Sequence, residues 1–368
     1  MNRDWIRPLS ELDEVDWSSY RHSYGSAENV PTLLRQVASE DFRAGAEALD
    51  DLSNSIFHQG IAPDEVFLPV LPFWLWLVLN GPEVHRPELL NILHQVLHSM
   101  KDFRAFAWDE GYYPPDWLAL QQRLLGLDSL FTPLLNDTNL AVAIAAGRYF
   151  NVLALYNQRL ASERLKEIVS TLPDERQCVA VGMHLAELLK DEEVPTSAWD
   201  DLVKLHDEQT SQALRWMLAL VLAEALRNHV PDSVITTLKD VLMENKALDE
   251  LLGPEVLPVS SVVPSAIALD QVGKRAESLA PLLAEQLRIQ EYGSYWIEKA
   301  ILHLTFEPIG SLTPESLNPM QREVLHVLAD YHETKGEAAM LALTSHCPGM
   351  REYLDTLWTG EVKRLSSP

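Results

Sequence analysis

A chain of 368 residues that is 47% hydrophobic has ample apolar material for a sizeable core. Its 54 acidic side chains outnumber its 29 basic ones, for a formal charge of -25. That balance argues against duplex nucleic acid and anionic membrane surfaces, where affinity rests on Lys and Arg meeting phosphate, and favours a basic protein partner. The acid excess is no tail: 21 acids against 10 bases reach to Phe150, and 33 against 19 lie beyond it. Two cysteines far apart, Cys178 and Cys347, fit a reducing, cytoplasmic setting and give no disulfide scaffold. Met1 to Glu14 is charged and lacks the apolar centre of a secretory signal. Leu68 to Leu79, the most apolar run, is shorter than the roughly 18–20 residues of a spanning helix, so a buried helix is expected there.

In chain order, residues 1–23 read as an irregular lead-in whose Trp5, Trp17 and Tyr20 can fold back onto the first helix. Gly25 and Pro31 punctuate the approach to the first helices. Ser39 is the expected N-cap of a helix over Phe42 to Phe57, which His58, Gln59 and Gly60 end. A second apolar helix covers Val66 to Leu79. Leu89, Leu93, Val96, Leu97 and Met100 then repeat at helical spacing, and an aromatic, acidic loop is expected from Lys101 to Pro115. Trp117 to Leu127 is helical again.

The next stretch repeats. Asp137, Asp174 and Asp207 each stand in a short acidic turn after a leucine and before a new apolar helix: Leu140 to Leu155, Cys178 to Leu189 and Leu214 to Leu226. Turns at such intervals mark stacked helix pairs. Beyond Pro231 the pattern drifts: a helix within Asp232 to Leu252, a proline-bearing connector from Gly253 to Pro264 that is a possible break, helices within Ser265 to Gln290 and Ser294 to Thr305, and a last helix opened by Asn318 and Pro319. No segment alternates like a strand, so the fold class is all-α: an α-α superhelix of antiparallel helix pairs spanning residues 24–368.

These turn-plus-helix units, over roughly Leu130 to Leu226, resemble HEAT repeats. Trp17, Tyr24-Gly25, Ala27, Pro31, His58-Gln59-Gly60 and Pro72-Phe73 resemble the front end of bacterial HEAT-repeat proteins, and Leu312-Thr313-Pro314-Glu315 with the helix after it resembles their C-terminal cap. The resemblance implies a solenoid that acts through its surfaces, and implies no reaction.

Chemistry singles out candidate binding residues. Trp108, Asp109, Glu110, Tyr112 and Tyr113 combine aromatic anchors with carboxylates, suited to a cationic partner. If turns of successive repeats align, Asp174, Glu175, Asp191, Glu192, Glu193, Asp200, Asp201, Asp207 and Glu208 gather into one acidic stripe. Each also has a plainer reading as solvated turn surface. His94 and His98, four apart, have the spacing of a metal pair but no third ligand nearby, and are expected at the edge of an apolar stripe; no metal or other cofactor is expected. Glycine-rich phosphate loops, the Gly-x-Ser-x-Gly nucleophile turn and paired zinc cysteines are absent. The expectation is a non-catalytic protein-binding solenoid, in its sharpest form an immunity or antagonist protein for a basic toxin. The alternative is an enzyme or small-ligand or metal carrier on the same scaffold, drawing on His58, His94, His98 and the Trp108–Tyr113 stretch.

Overall fold

The computed structural model describes residues 6–22, 24–57, 65–110, 115–156, 158–172, 174–189, 199–290, 293–306 and 313–335. Among the described residues the fold is all-α, apart from a two-residue antiparallel pair, β1 (Arg21–His22) with β2 (Gly25–Ser26). The chain divides into two compact units, Met1–Arg164 and Leu165–Pro368.

The first unit holds α1 (Val30–Val37), α2 (Phe42–Ile56), α3 (Phe67–Asn80), α4 (Arg86–Glu110), α5 (Pro115–Leu125), α6 (Asp128–Phe131) and α7 (Leu140–Tyr156), and the division falls within α8 (Gln158–Thr171). The cap of α2 is Asp41 rather than Ser39. The Asp41 carboxylate accepts from the Arg43 and Ala44 N–H groups at 3.1 Å each, while Ser39 Oγ takes the N–H of Asp41 itself. An acceptor at Asp41 lies one turn from two orphan donors, which a hydroxyl at Ser39 cannot reach. α3 is apolar on nearly every side and correspondingly buried. Trp17 of the lead-in lies against its Phe73, and Trp74 donates to the carbonyl of Leu89 in α4 at 3.0 Å. α4 does not stop at Lys101, where the sequence pattern breaks. Lys101 to Glu110 contains no glycine or proline and several good helix formers, so the helix runs on until Gly111. α7 packs along α4, and near the start of α4 Arg86 pairs with Asp137 at 3.2 Å and donates to the carbonyl of Val78.

The second unit holds α9 (Glu175–Leu189), α10 (Asp200–Glu208), α11 (Gln212–Leu226), α12 (Asp232–Met243), α13 (Lys246–Val256), α14 (Val262–Val272), α15 (Ala280–Ile289), α16 (Ser294–Phe306) and α17 (Pro319–Lys335). Contacts put α9, α11, α14 and α16 side by side and parallel. The first turns of α9 and α11 meet where Ser211 donates to Glu175, and their middles meet where Gly182 faces Met217. Trp216 Nε1 donates to Ser265 Oγ at 2.9 Å, joining the early turns of α11 and α14. Gly293 lies against Val263 before α16, and His303 meets Asp270 further along both helices. α12 packs on α11 and α14, α15 on α12 and α16, and α17 on α15 and α16.

The stretch from Gly253 to Pro264 is more structured than its composition suggests. Gly253, at φ +67° and ψ +170°, leaves the helical conformation, so the range of α13 joins two helical pieces across a break at the expected position, and α14 already begins at Val262. Asp249 closes the short connection by accepting from the N–H of Ser261 at 2.9 Å. α17 opens as expected: Asn318 and Gln321 cap each other's backbone, and Pro319 takes the first position. Among the described residues no single helix is long and apolar enough to cross a membrane.

Gly182 sets how closely α9 approaches α11. A Cβ there would clash with Met217 Sδ and stand 2.7 Å from its Cγ, against a fully buried side chain. Gly182→Ala is expected to destabilise the fold by about 1–3 kcal/mol through overpacking. In urea denaturation the loss should shrink when Met217→Ala is added, as it does for two residues in contact.

Candidate functional site

The helix row brings part of the predicted acidic stripe to one edge. Asp174 caps α9, its carboxylate accepting from the N–H groups of Arg176 at 2.8 Å and Gln177 at 3.4 Å. Glu175 stands next to it in the first turn and receives the hydroxyl of Ser211. Ser211 is the N-cap of α11, taking the N–H of Leu214 at 3.1 Å. Asp207 and Glu208 close α10 three or four residues before Ser211 and are exposed. Asp174, Glu175, Asp207 and Glu208 therefore share one edge. Glu255, which no local pattern singles out, joins them through Arg176, whose guanidinium reaches Glu255 at 3.2 Å and the carbonyl of Leu252. Cations temper the edge: Lys204 stands 3.8 Å from Glu208, and Arg215 donates to the carbonyl of Gln209.

Asp200 and Asp201 occupy the first turn of α10, about 10 Å from Asp207 along the axis at 1.5 Å per residue. Asp201 pairs there with Lys166, whose bond holds its carboxyl below the usual range. These two do not join the edge. Trp108, Asp109 and Glu110 form the last turn of α4 rather than a loop. Tyr112, Tyr113, Asp191, Glu192, Glu193 and the His58-Gln59-Gly60 turn lie outside the described residues, as does Cys347. His94 and His98 are half-buried neighbours on α4, ring centroids 6.3 Å apart. Among the described residues no three His, Cys, Asp or Glu side chains form a group able to hold a metal ion.

Behind the edge lies a polar joint that sequence spacing does not reveal. His206 is buried at the end of α10, with Nδ1 2.9 Å from Asp207 Oδ1 and Nε2 3.0 Å from Thr237 Oγ1 of α12. Burial lowers the His206 pKa below its ordinary 6.5, against the opposing pull of Asp207. Burial alone would raise the Asp207 carboxyl; bonds from His206 and Ser233 and the charges of His206 and Arg215 outweigh it and hold it down. The Thr237 hydroxyl also donates to the carbonyl of Ser233 at 3.1 Å, so it ties the ring of His206 to the first turn of α12. Cys178 is buried at the start of α9, and burial with the charges of Asp174 and Glu175 pushes its thiol up to about 12.

A second polar cluster joins α14 and α16. Asp270 accepts from His303 Nδ1 at 2.7 Å and stands 4.0 Å from Lys299 Nζ, which in turn lies over the Trp296 ring. Asp270 and His303 are 33 residues apart in the chain, so no local signal could have paired them. An imidazole oriented by a carboxylate can accept a proton at its other nitrogen. No nucleophile is seen in hydrogen-bond contact with it among the described residues.

The chain matches no protein-family model, and no curated protein matches it significantly.

Because a folded His206 resists its proton, the unfolded chain binds more protons below pH 6.5. Its stabilising share is whole above that pH and drains away as pH falls, by at most about 1.4 kcal/mol per pH unit. Glu298, whose carboxyl burial raises above its ordinary 4.5, acts oppositely, its share being lost as pH rises through that range. The difference between wild type and His206→Gln isolates the histidine: urea midpoints at pH 7.5 and 5.5 should diverge more for wild type than for the variant. Cys178 should stay unmodified by a soluble thiol reagent in a native Cys347→Ser background, and react fully once the protein is denatured.

Proposed function

We propose that this chain is a non-catalytic protein-binding solenoid of the HEAT type whose helix-end edge, centred on Asp207, Glu208, Asp174 and Glu255, grips a basic protein. The observation that carries the reading is the parallel row α9, α11, α14 and α16, in which Glu175 and Ser211 bring two successive helix starts together. A row of that kind offers an extended surface from which neighbouring turns act jointly. The N-caps Asn139, Asp174 and Ser211, which start α7, α9 and α11, recur 35 and 37 residues apart, within the range of helical repeats. Net charge adds long-range attraction for a cationic partner and would speed capture. The most specific form of the proposal is an antagonist that neutralises a basic toxin in the cytoplasm.

The test is affinity capture from the native host at low salt, with wild type beside a Glu208→Lys/Glu255→Lys variant. Both side chains are exposed, so the fold should tolerate the exchange. A basic protein held by wild type, released by high salt and missed by the variant is the expected result. Association with that protein should slow by about tenfold or more as ionic strength rises from about 50 to about 500 mM, on the order of what electrostatic steering produces. Identical captures by both proteins, or a rate indifferent to salt, would sink the reading.

A further inference from the structure

The side of the helix row carries a surface of different character from its edge. Three of the eight exposed large hydrophobic residues among those described fall at the α15–α16 corner: Ile289 at 68%, Tyr295 at 61% and Trp296 at 38%. Tyr295 and Trp296 pack edge to face at 5.2 Å. Trp296, Lys299 and His303 then recur at i, i+3 and i+7 along α16, which places them on one helical face. Lys299 and His303 are each over a third exposed, whereas the Asp270 side chain that holds both is only 10% exposed. Lys274 extends the line, its ammonium 3.4 Å from the carbonyl of Leu304.

This is a built arrangement. A nearly buried carboxylate holds His303 and stands beside Lys299, both partly exposed, next to an aromatic corner of the type that anchors interfaces. We propose that this α16 face is a second binding surface, for a protein segment in which carboxylates flank an apolar side chain. The apolar side chain would cover Tyr295 and Trp296, and the carboxylates would meet Lys299, His303 and Lys274. Charge complementarity selects that occupant. Two lysines and a histidine are too few for a duplex, which presents a charge about every 1.7 Å, and fall short of the roughly 4–8 basic residues of an anionic-lipid site. The chain's acid excess does not forbid it, because at physiological ionic strength charges beyond about 8 Å are largely screened. The proposal stands apart from the acidic edge, which lies at the helix ends rather than along α16.

Fluorescence anisotropy of the full chain tests it, with a labelled twelve-residue peptide of repeating Glu-Leu-Glu-Phe as probe. Its Lys-Leu-Lys-Phe counterpart and a twelve-nucleotide single strand serve as controls. The acidic peptide should bind in the micromolar range, about tenfold or more weaker after Lys299→Glu or Trp296→Ala, and unchanged after Glu208→Lys/Glu255→Lys. Its affinity should hold or rise as salt is raised from low ionic strength, since distant repulsion is screened first; the basic peptide should show the opposite trend and respond to the edge variant instead. Circular dichroism of each variant keeps loss of fold from passing as loss of binding. No binding of the acidic peptide to wild type, equal binding by Lys299→Glu, or an oligonucleotide bound as tightly through the same residues would overturn the assignment.

Discussion

From Trp216 to Leu226 every side chain of α11 is buried, Glu224 among them. A helix that apolar around its whole circumference has no stable existence in water, so its neighbours must wrap it. α9 closes on one side through the gap that Gly182 leaves for Met217, while α12 and α14 cover others, the latter fixed by the bond from Trp216 to Ser265. The acidic edge and the His206 joint are consequences of how that one helix is covered. α10 and α12 both pack beside it, and their meeting point is where His206 links Asp207 to Thr237.

A parallel row also collects helix starts on one edge, and helix starts attract carboxylates for local reasons. Four orphan N–H groups and the positive end of the macrodipole favour acids there whatever the edge does next. Asp174 and Glu175 are fully accounted for in this way, one as a cap and the other as the partner of Ser211. Asp207 and Glu208 are not. They sit in the last turn of α10, where the dipole disfavours negative charge. Asp207 is compensated by His206 and Ser233, which leaves Glu208 with a long contact to Lys204 among the described residues. Glu208 is thus the edge residue whose position local stability explains least.

Much of the fold is legible in the sequence because apolar spacing and capping chemistry are local. The helices over Leu140 to Tyr156 and Gln212 to Leu226, and the Asn318-Pro319 start of α17, all arise from patterns within a few residues. The misleading signals are local too. The aromatic composition between Lys101 and Glu110 mimics a loop although nothing there breaks a helix. The evenly spaced aspartates hide three different roles: Asp137 pairs with Arg86, Asp174 caps, and Asp207 holds a histidine. The closer period lies in the caps Asn139, Asp174 and Ser211, which belong to different residue types and so form no visible motif. Out of reach of any local pattern is everything made by packing across the row, above all the pairing of Asp270 with His303.

Edges and sides of a helix row answer to different physics. Edge chemistry is set by termini, where backbone polarity favours acids at helix starts, so it is cumulative and felt at a distance. Side chemistry is set by which residues of a helix are left uncovered, and it varies from one helix to the next. On α16 the partly exposed residues include Trp296, Lys299 and His303; Asp270 of α14 contacts the latter two, and Lys299 lies over the Trp296 ring. A net charge of -25 governs approach, while contact at a few ångströms is governed by the groups in place there. An acidic chain with one aromatic, lysine-bearing helix face is therefore physically consistent: bulk charge acts at a distance, and local side chains act at contact.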